Sequence, residues 1–108
     1  MSMNMTARRT AAPVHSEFSN DPDFEEILHL FVESIPEKQK NFREYYLQGE
    51  WNSLKAQAHQ LKGSGGGYGF DDLTVEASNL ERACQSQDID QIGQALNSLL
   101  NYMGRITV

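Results

Sequence analysis

The sequence is poor in cysteine and has fewer basic than acidic residues. Cys84 is the only cysteine among 108 residues, which excludes an intramolecular disulfide and a cysteine-rich zinc site. Nine Lys and Arg stand against 15 Asp and Glu, giving a net charge of −6, whereas binding to a nucleic-acid backbone needs concentrated positive charge. We therefore expect no nucleic acid among the partners. A cytoplasmic location is the simplest expectation for a chain without disulfides.

Long apolar runs are also missing. No segment approaches the roughly 20 apolar residues that cross a bilayer. Residues 10–16 (TAAPVHS) follow Arg8 and Arg9 but contain no apolar run that would form the core of a signal peptide. The sequence thus predicts no membrane insertion of its own, and it is compatible with excision from a larger membrane protein.

Motifs for nucleotide and metal binding are absent as well. The glycine run over residues 63–69 lacks the Lys-Ser/Thr of a P-loop, and Tyr68 and Phe70 stand where G-x-G-x-x-G requires glycine. Glu26 and His29 form one E-x-x-H pair, but a di-iron bundle needs two. We expect that the chain has no cofactor or metal of its own and contains no ATP-binding or kinase module. The chain is therefore not predicted to be a self-sufficient enzyme.

Apolar residues at helical spacing begin at about residue 21. Residues 1–20 show neither helical nor strand periodicity and are predicted to be a flexible tail, with residues 21–108 as the folded domain. Asp21 followed by Pro22 is typical of a helix start. Pro36 is expected to stop or kink this first helix, and a second one then continues to a stop at Gly49.

Three further amphipathic segments follow. An aspartate at position 71 or 72 is expected to cap the middle one of these three, and Asp88 is expected to cap the last. Their apolar stripes are Trp51, Leu54, Ala58 and Leu61, then Leu73, Ala77, Leu80 and Cys84, and finally Ile89, Ile92, Leu96, Leu99 and Met103. Short connections favour antiparallel neighbours. The sequence predicts an all-α fold, an antiparallel up-and-down four-helix bundle with a short extra N-terminal helix. Such a bundle buries its stripes within one chain, so a monomer is expected.

One histidine lies outside these stripes, in a polar patch. On a helical wheel His59 is about 120° from the centre of its segment's apolar stripe. Lys62 at i+3 and Gly63 at i+4 share its surface, with Lys55 at i−4. A neutral imidazole is a good nucleophile near pH 7. The Lys62 ammonium can meet the charge of about −2 that a phosphoryl group brings, and Gly63 leaves the ring uncovered. The patch favours phosphoryl transfer.

The segment AHQLKGS, which contains His59, is followed by Gly69. It resembles the signature of the histidine-containing phosphotransfer (HPt) family, His-x-Leu-Lys-Gly-Ser with a glycine ten residues after the histidine. Leu80-Glu81 on the next helix also resembles the family. The likeness covers roughly residues 21–105, and its specific part is about 25 residues long.

The resemblance implies a role for four residues. His59 would accept the phosphoryl group through Nε2, and Lys62 would contact that group. Gly63 would give access, and Glu81 would accept a hydrogen bond from the other ring nitrogen. It also implies a phosphorelay in the two-component class, with response-regulator receiver domains or a hybrid sensor histidine kinase as partners. Mg²⁺ would then belong to the receiver.

Two other functions fit parts of the pattern. The same His-Gln-Leu-Lys-Gly motif, followed by Gly69-Phe70, also resembles the phosphotransfer domain at the N-terminus of chemotaxis kinases. In those proteins the phosphate comes from the kinase's own ATP-binding domain. From another class, a non-catalytic helical adaptor would keep the bundle without carrying phosphate. The intact His-x-x-Lys-Gly patch argues against the adaptor.

The glycines at positions 65–67 depart from the family, which commonly has another Ser or Ala there. Each helical glycine costs about 1 kcal/mol relative to alanine. Either the helix that carries His59 ends early, or it packs unusually close to the next helix. We predict that it persists through Gly66.

Overall fold

The computed structural model describes residues 12–108, which form four α-helices. The elements in chain order are a 3-10 turn Pro22–Phe24, α1 Glu25–Gln48, α2 Trp51–Gly65, a 3-10 turn Gly66–Tyr68, α3 Asp71–Ser86 and α4 Ile89–Arg105. Each helix packs against its neighbour in the chain, and α4 returns against α1. The predicted all-α, antiparallel four-helix bundle is confirmed. No helix in this part of the chain is both long and apolar enough to span a bilayer.

The two helices expected in the first half of the chain are one helix. α1 runs through Pro36 without a break, so the predicted boundary there is wrong. Where a short extra N-terminal helix was expected, the structure has the 3-10 turn Pro22–Phe24. Pro36 removes one backbone hydrogen bond from the helix. Ile35 before it and Phe42 after it are nevertheless buried in the same core, and this packing outweighs the local penalty.

The helix ends mostly follow the sequence signals. Asp21 caps the 3-10 turn and Asp88 caps α4, each by accepting backbone N–H bonds. Gly49 ends α1 in the left-handed region, with φ of 69°. The start of α3 differs from the prediction, because Phe70 occupies the N-cap position and Asp71 is the first helical residue. The two aspartates lie in the first turn, where the helix dipole favours negative charge.

All four helices contribute to one hydrophobic core. Its fully buried large side chains are Leu54, Phe70, Leu73, Leu80, Ile92, Leu99 and Met103. Cys84 is buried among them, as expected of a small apolar residue. Ile89 was predicted to be buried and is 56% exposed. It is the first residue of α4.

Residues 12–20, which we call the N-terminal strap, lie against the bundle. Val14 forms a parallel β-bridge with Ile106 after the end of α4, and the Phe18 ring stacks on Phe24 at a centroid distance of 4.5 Å. This part of the predicted tail therefore contacts the bundle, and its flexibility stays a prediction. The rest of that predicted tail, residues 1–11, lies outside the described residues.

Candidate functional site

Helices α2 and α3 bring three of the four predicted site residues into one hydrogen-bonded cluster. The Nδ1 atom of His59 lies 2.9 Å from Oε2 of Glu81. The Nζ atom of Lys62 lies 2.9 Å from Oε1 of the same carboxylate. The His59 side chain is 65% exposed, that of Lys62 36% and that of Glu81 13%. One largely covered carboxylate therefore holds both surface side chains.

The state of the Glu81 carboxylate determines which nitrogen of His59 carries the proton. The hydrogen bond from Lys62 lowers the pKa of Glu81, the bond from His59 lowers it further, and partial burial opposes them. Glu81 is then ionised near neutral pH and has no proton to donate. Nδ1–H of His59 must be the donor in this pair. In the neutral imidazole the free lone pair is therefore on Nε2.

Gly63, the fourth predicted residue, lies on the exposed face of α2 one turn after His59. A Cβ atom built at this position would have no heavy atom within 4 Å. Packing within the chain therefore does not require glycine here. Because glycine has no side chain, nothing at position 63 projects from the helix beside the imidazole of His59.

Gly65, two residues further on, is required by packing. A Cβ atom there would lie 2.8 Å from Oγ1 of Thr74 and 3.0 Å from its backbone nitrogen. The α-helix ends at Gly65, one residue before the predicted end at Gly66, and the chain continues as the 3-10 turn Gly66–Tyr68. The glycine run left two alternatives, an early end of the helix or unusually close packing on the next helix. The structure has the close packing, between α2 and α3.

Thr74 joins this end of α2 to α3, and the sequence reasoning missed it. Its hydroxyl donates to the carbonyl oxygen of Lys62 at 3.0 Å and accepts from the N–H of Gly66 at 2.9 Å. The available signal was a hydroxyl side chain early in one helix together with a run of glycines at the end of the preceding one. Using that signal requires knowing the register between the two helices, which spacing along the chain does not give.

The N-terminal strap covers the turn that follows. Gly69, the glycine of the resembled signature, has φ of 84°, and its carbonyl accepts from the N–H of Glu17 at 2.9 Å. The Ser16 hydroxyl donates to the carbonyl of Tyr68 at 2.6 Å. A Cβ atom at Gly69 would overlap the Ser16 hydroxyl and the Phe18 ring. The glycine therefore permits both a left-handed turn and the close approach of the strap.

The other two histidines do not join the cluster. His15 lies exposed in the strap and His29 lies exposed on α1. Lys55 lies one turn before His59 on α2, half-buried. Within residues 12–108, no group of three or more His, Cys, Asp or Glu side chains is arranged to hold a metal ion.

A helical bundle that presents an imidazole, an ammonium and an orienting carboxylate at its surface fits the phosphotransfer class. A model of the Hpt domain family matches residues 26–107, which is more than half of the chain. The chain belongs to the Hpt domain family. Hpt domains carry phosphoryl groups on histidine in two-component phosphorelays, where they interact with receiver domains and kinases. No curated protein and no solved structure matched the chain.

Proposed function

We propose that this chain accepts a phosphoryl group on Nε2 of His59 from the aspartyl phosphate of one receiver domain and passes it to another receiver. The observation that supports the proposal best is the bond between Nδ1 of His59 and Glu81. It leaves the unprotonated nitrogen Nε2 on an imidazole that is 65% exposed.

The transfer needs only a bond exchange at phosphorus. The Nε2 lone pair attacks the phosphorus atom of the aspartyl phosphate, the bond from phosphorus to the aspartate oxygen breaks, and a free aspartate carboxylate leaves. The imidazole ring then keeps its proton on Nδ1 and becomes positively charged, and the ionised Glu81 beside it stabilises that charge. Return of the group to a second receiver is the same exchange in the opposite direction.

Lys62 neutralises charge on the incoming phosphoryl group in this proposal. An ammonium has three donors, and one of them is engaged with Oε1 of Glu81. The remaining donors are available for phosphoryl oxygens without breaking that bond. Phosphoryl transfer depends mainly on positioning and on charge stabilisation, and these are what Lys62 and Glu81 supply. Mg²⁺ is proposed to arrive with the receiver.

The test is phosphotransfer from a panel of phosphorylated receivers to the wild-type chain and to His59→Gln. His29→Gln is the matched control, since His29 is also an exposed histidine on a helix. We expect acid-labile label, as an N-linked phosphate gives, on the wild type and on His29→Gln. We expect none on His59→Gln.

Two results would overturn this proposal in favour of the alternatives. Label that appears only from ATP with a separate kinase domain, and from no receiver, would indicate the chemotaxis type. No label from any receiver or kinase, together with a partner complex whose affinity is unchanged in His59→Ala, would indicate a non-catalytic adaptor.

A further inference from the structure

We propose that Thr74 is a positioning residue for phosphoryl transfer, which holds the turn of α2 that carries Lys62 in register with Glu81 on α3. The inference rests on the proposed function of His59 and goes beyond it, since it assigns a role to a residue outside the motif.

The Thr74 hydroxyl bonds two backbone groups that belong together. The carbonyl of Lys62 and the N–H of Gly66 are four residues apart, the spacing that closes one turn of an α-helix. The hydroxyl donates to the first at 3.0 Å and accepts from the second at 2.9 Å. A side chain of α3 thus links the two polar groups of the last turn of α2.

Two links of matched spacing connect these helices. Gly66 follows His59 by seven residues, and Glu81 follows Thr74 by seven residues, so each pair is about 10 Å apart along its helix. The helices run in opposite directions, which places Thr74 at Gly66 and Glu81 at His59. Links at both ends of a two-turn segment restrict sliding as well as rotation of α2 on α3.

Lys62 is the residue that both links share. Its backbone carbonyl is bound by Thr74 and its ammonium by Glu81. A shift of the last turn of α2 would therefore move the ammonium relative to the carboxylate that also holds His59. Misplacement of a catalytic group by about 1 Å can slow a reaction substantially.

The absence of a side chain at position 65 gives the hydroxyl its place. A Cβ atom there would lie 2.8 Å from Oγ1 of Thr74, so Gly65 and Thr74 form a complementary pair. Valine would fill nearly the same volume as threonine without the hydroxyl. Packing alone therefore does not account for threonine at this position, whereas the two hydrogen bonds do.

The experiment compares Thr74→Val and Thr74→Ser with Ser98→Ala. Ser98 is the matched control because its hydroxyl also links α3 to a neighbour, by donating to Glu76 from α4. For each folded variant, the maximum rate of transfer from a phosphorylated receiver and the half-saturating receiver concentration are measured. Urea unfolding gives the stability of each variant.

We expect the maximum rate of Thr74→Val to fall by about fivefold, with an unchanged half-saturating concentration, because the docking surface is intact. Thr74→Ser keeps the hydroxyl and should stay within about twofold of the wild type. Ser98→Ala should transfer at the wild-type rate. A wild-type rate in Thr74→Val would overturn the proposal. A fall in the maximum rate that Ser98→Ala also shows, in proportion to its loss of stability, would overturn it as well.

A second readout does not depend on phosphotransfer. Loosening of Lys62 in Thr74→Val should raise the pKa of Glu81 towards its usual value, because the bond from Lys62 is the main cause of its depression. Carbon NMR of the Glu81 carboxyl measures this. An unchanged titration in folded Thr74→Val would overturn the positioning role. A wild-type chain that accepts no phosphoryl group would instead refute the proposed function, and the Glu81 titration would still decide the role of Thr74.

Discussion

Helix α3 lies between two helices and meets them with different chemistry. Towards α2 the contact is close and includes small residues, with Ala58 and Gly65 buried. Its cross-links are polar, from Thr74 and Glu81. Towards α4 the contact is made mainly by large apolar side chains, with one exposed polar link from Ser98 to Glu76. The buried residues of α4 are Ile92, Leu96, Leu99, Tyr102 and Met103.

The difference between these two contacts of α3 separates the residues that stabilise the fold from those that form the candidate site. Burial of large apolar side chains contributes roughly 1.5–3 kcal/mol for each one, so the α4 side supplies much of the free energy of folding. A surface ion pair contributes little to stability, so the polar cross-links add little to the free energy of folding. They place the imidazole, the ammonium and the carboxylate together. Substitutions of the polar cross-links and of the large buried side chains should therefore change different measured quantities.

The largest effect on stability is expected on the α4 side. Leu99 has no exposed surface, and its replacement by alanine should lower the free energy of unfolding by about 2–5 kcal/mol through lost burial and a residual cavity. Urea unfolding measures the loss. The transfer rate per folded molecule should stay at the wild-type value. His59→Gln is the corresponding substitution on the polar side, and it should leave the free energy of unfolding unchanged within about 0.5 kcal/mol. A slower folded Leu99→Ala would show that the two sides are not separable.

A smaller loss of stability is expected where α2 and α3 approach most closely. In Gly65→Ala the new methyl would lie 3.0 Å from the backbone nitrogen of Thr74, which a rotamer change cannot relieve. Helices forced apart in this way should lose about 1–3 kcal/mol of unfolding free energy. Thermal unfolding followed by circular dichroism measures it. An unchanged melting temperature would mean that the close approach is not needed.

Much of the candidate site could be proposed from the sequence because its residues are local in the chain. His59, Lys62 and Gly63 share one face of one helix at spacings of three and four. Glu81 was reached only through the family resemblance, since it lies on another helix. Thr74 was not reached at all. Its role depends on which residue of α3 faces the last turn of α2, and this register is set by packing.

The fold was predictable as a class but not in every boundary. Pro36 favours a break when only its neighbours in the chain are considered. The helix continues because residues on both sides of it are buried in one core. Most contacts of the strap were not predicted, for the related reason that it has no periodicity. Its contacts are single ones with distant residues, such as the bridge between Val14 and Ile106.

Gly63 provides a matched contrast with Gly65 within the same helix. A methyl at position 63 would touch no heavy atom within 4 Å, and alanine is the better helix former. Gly63→Ala should therefore raise the free energy of unfolding by about 0.5–1 kcal/mol, the opposite sign from Gly65→Ala. The methyl would stand beside His59, so the half-saturating receiver concentration should rise. Stabilisation without any effect on transfer would refute the access role of Gly63.

The smallest effect is expected from the charge on Glu81, and it depends on pH. Its pKa lies below the usual value of about 4.5, mainly because of the bond from Lys62. Stability from such a depressed pKa is fully present above the usual value and is lost as the pH falls through the folded-state value. The stability difference between wild type and Glu81→Gln should therefore shrink as the pH falls below about 4.5.

Urea unfolding over that pH range measures the Glu81 contribution, with Glu33→Gln on the exposed face of α1 as the control. The control should show no comparable change in its difference from wild type. A Glu81→Gln difference that stays constant down to about pH 3 would mean that the ionised carboxylate is not held by Lys62 in the folded chain. Lys62 would then not be fixed beside His59 by that carboxylate, and the polar side of α3 would lack one of its two cross-links.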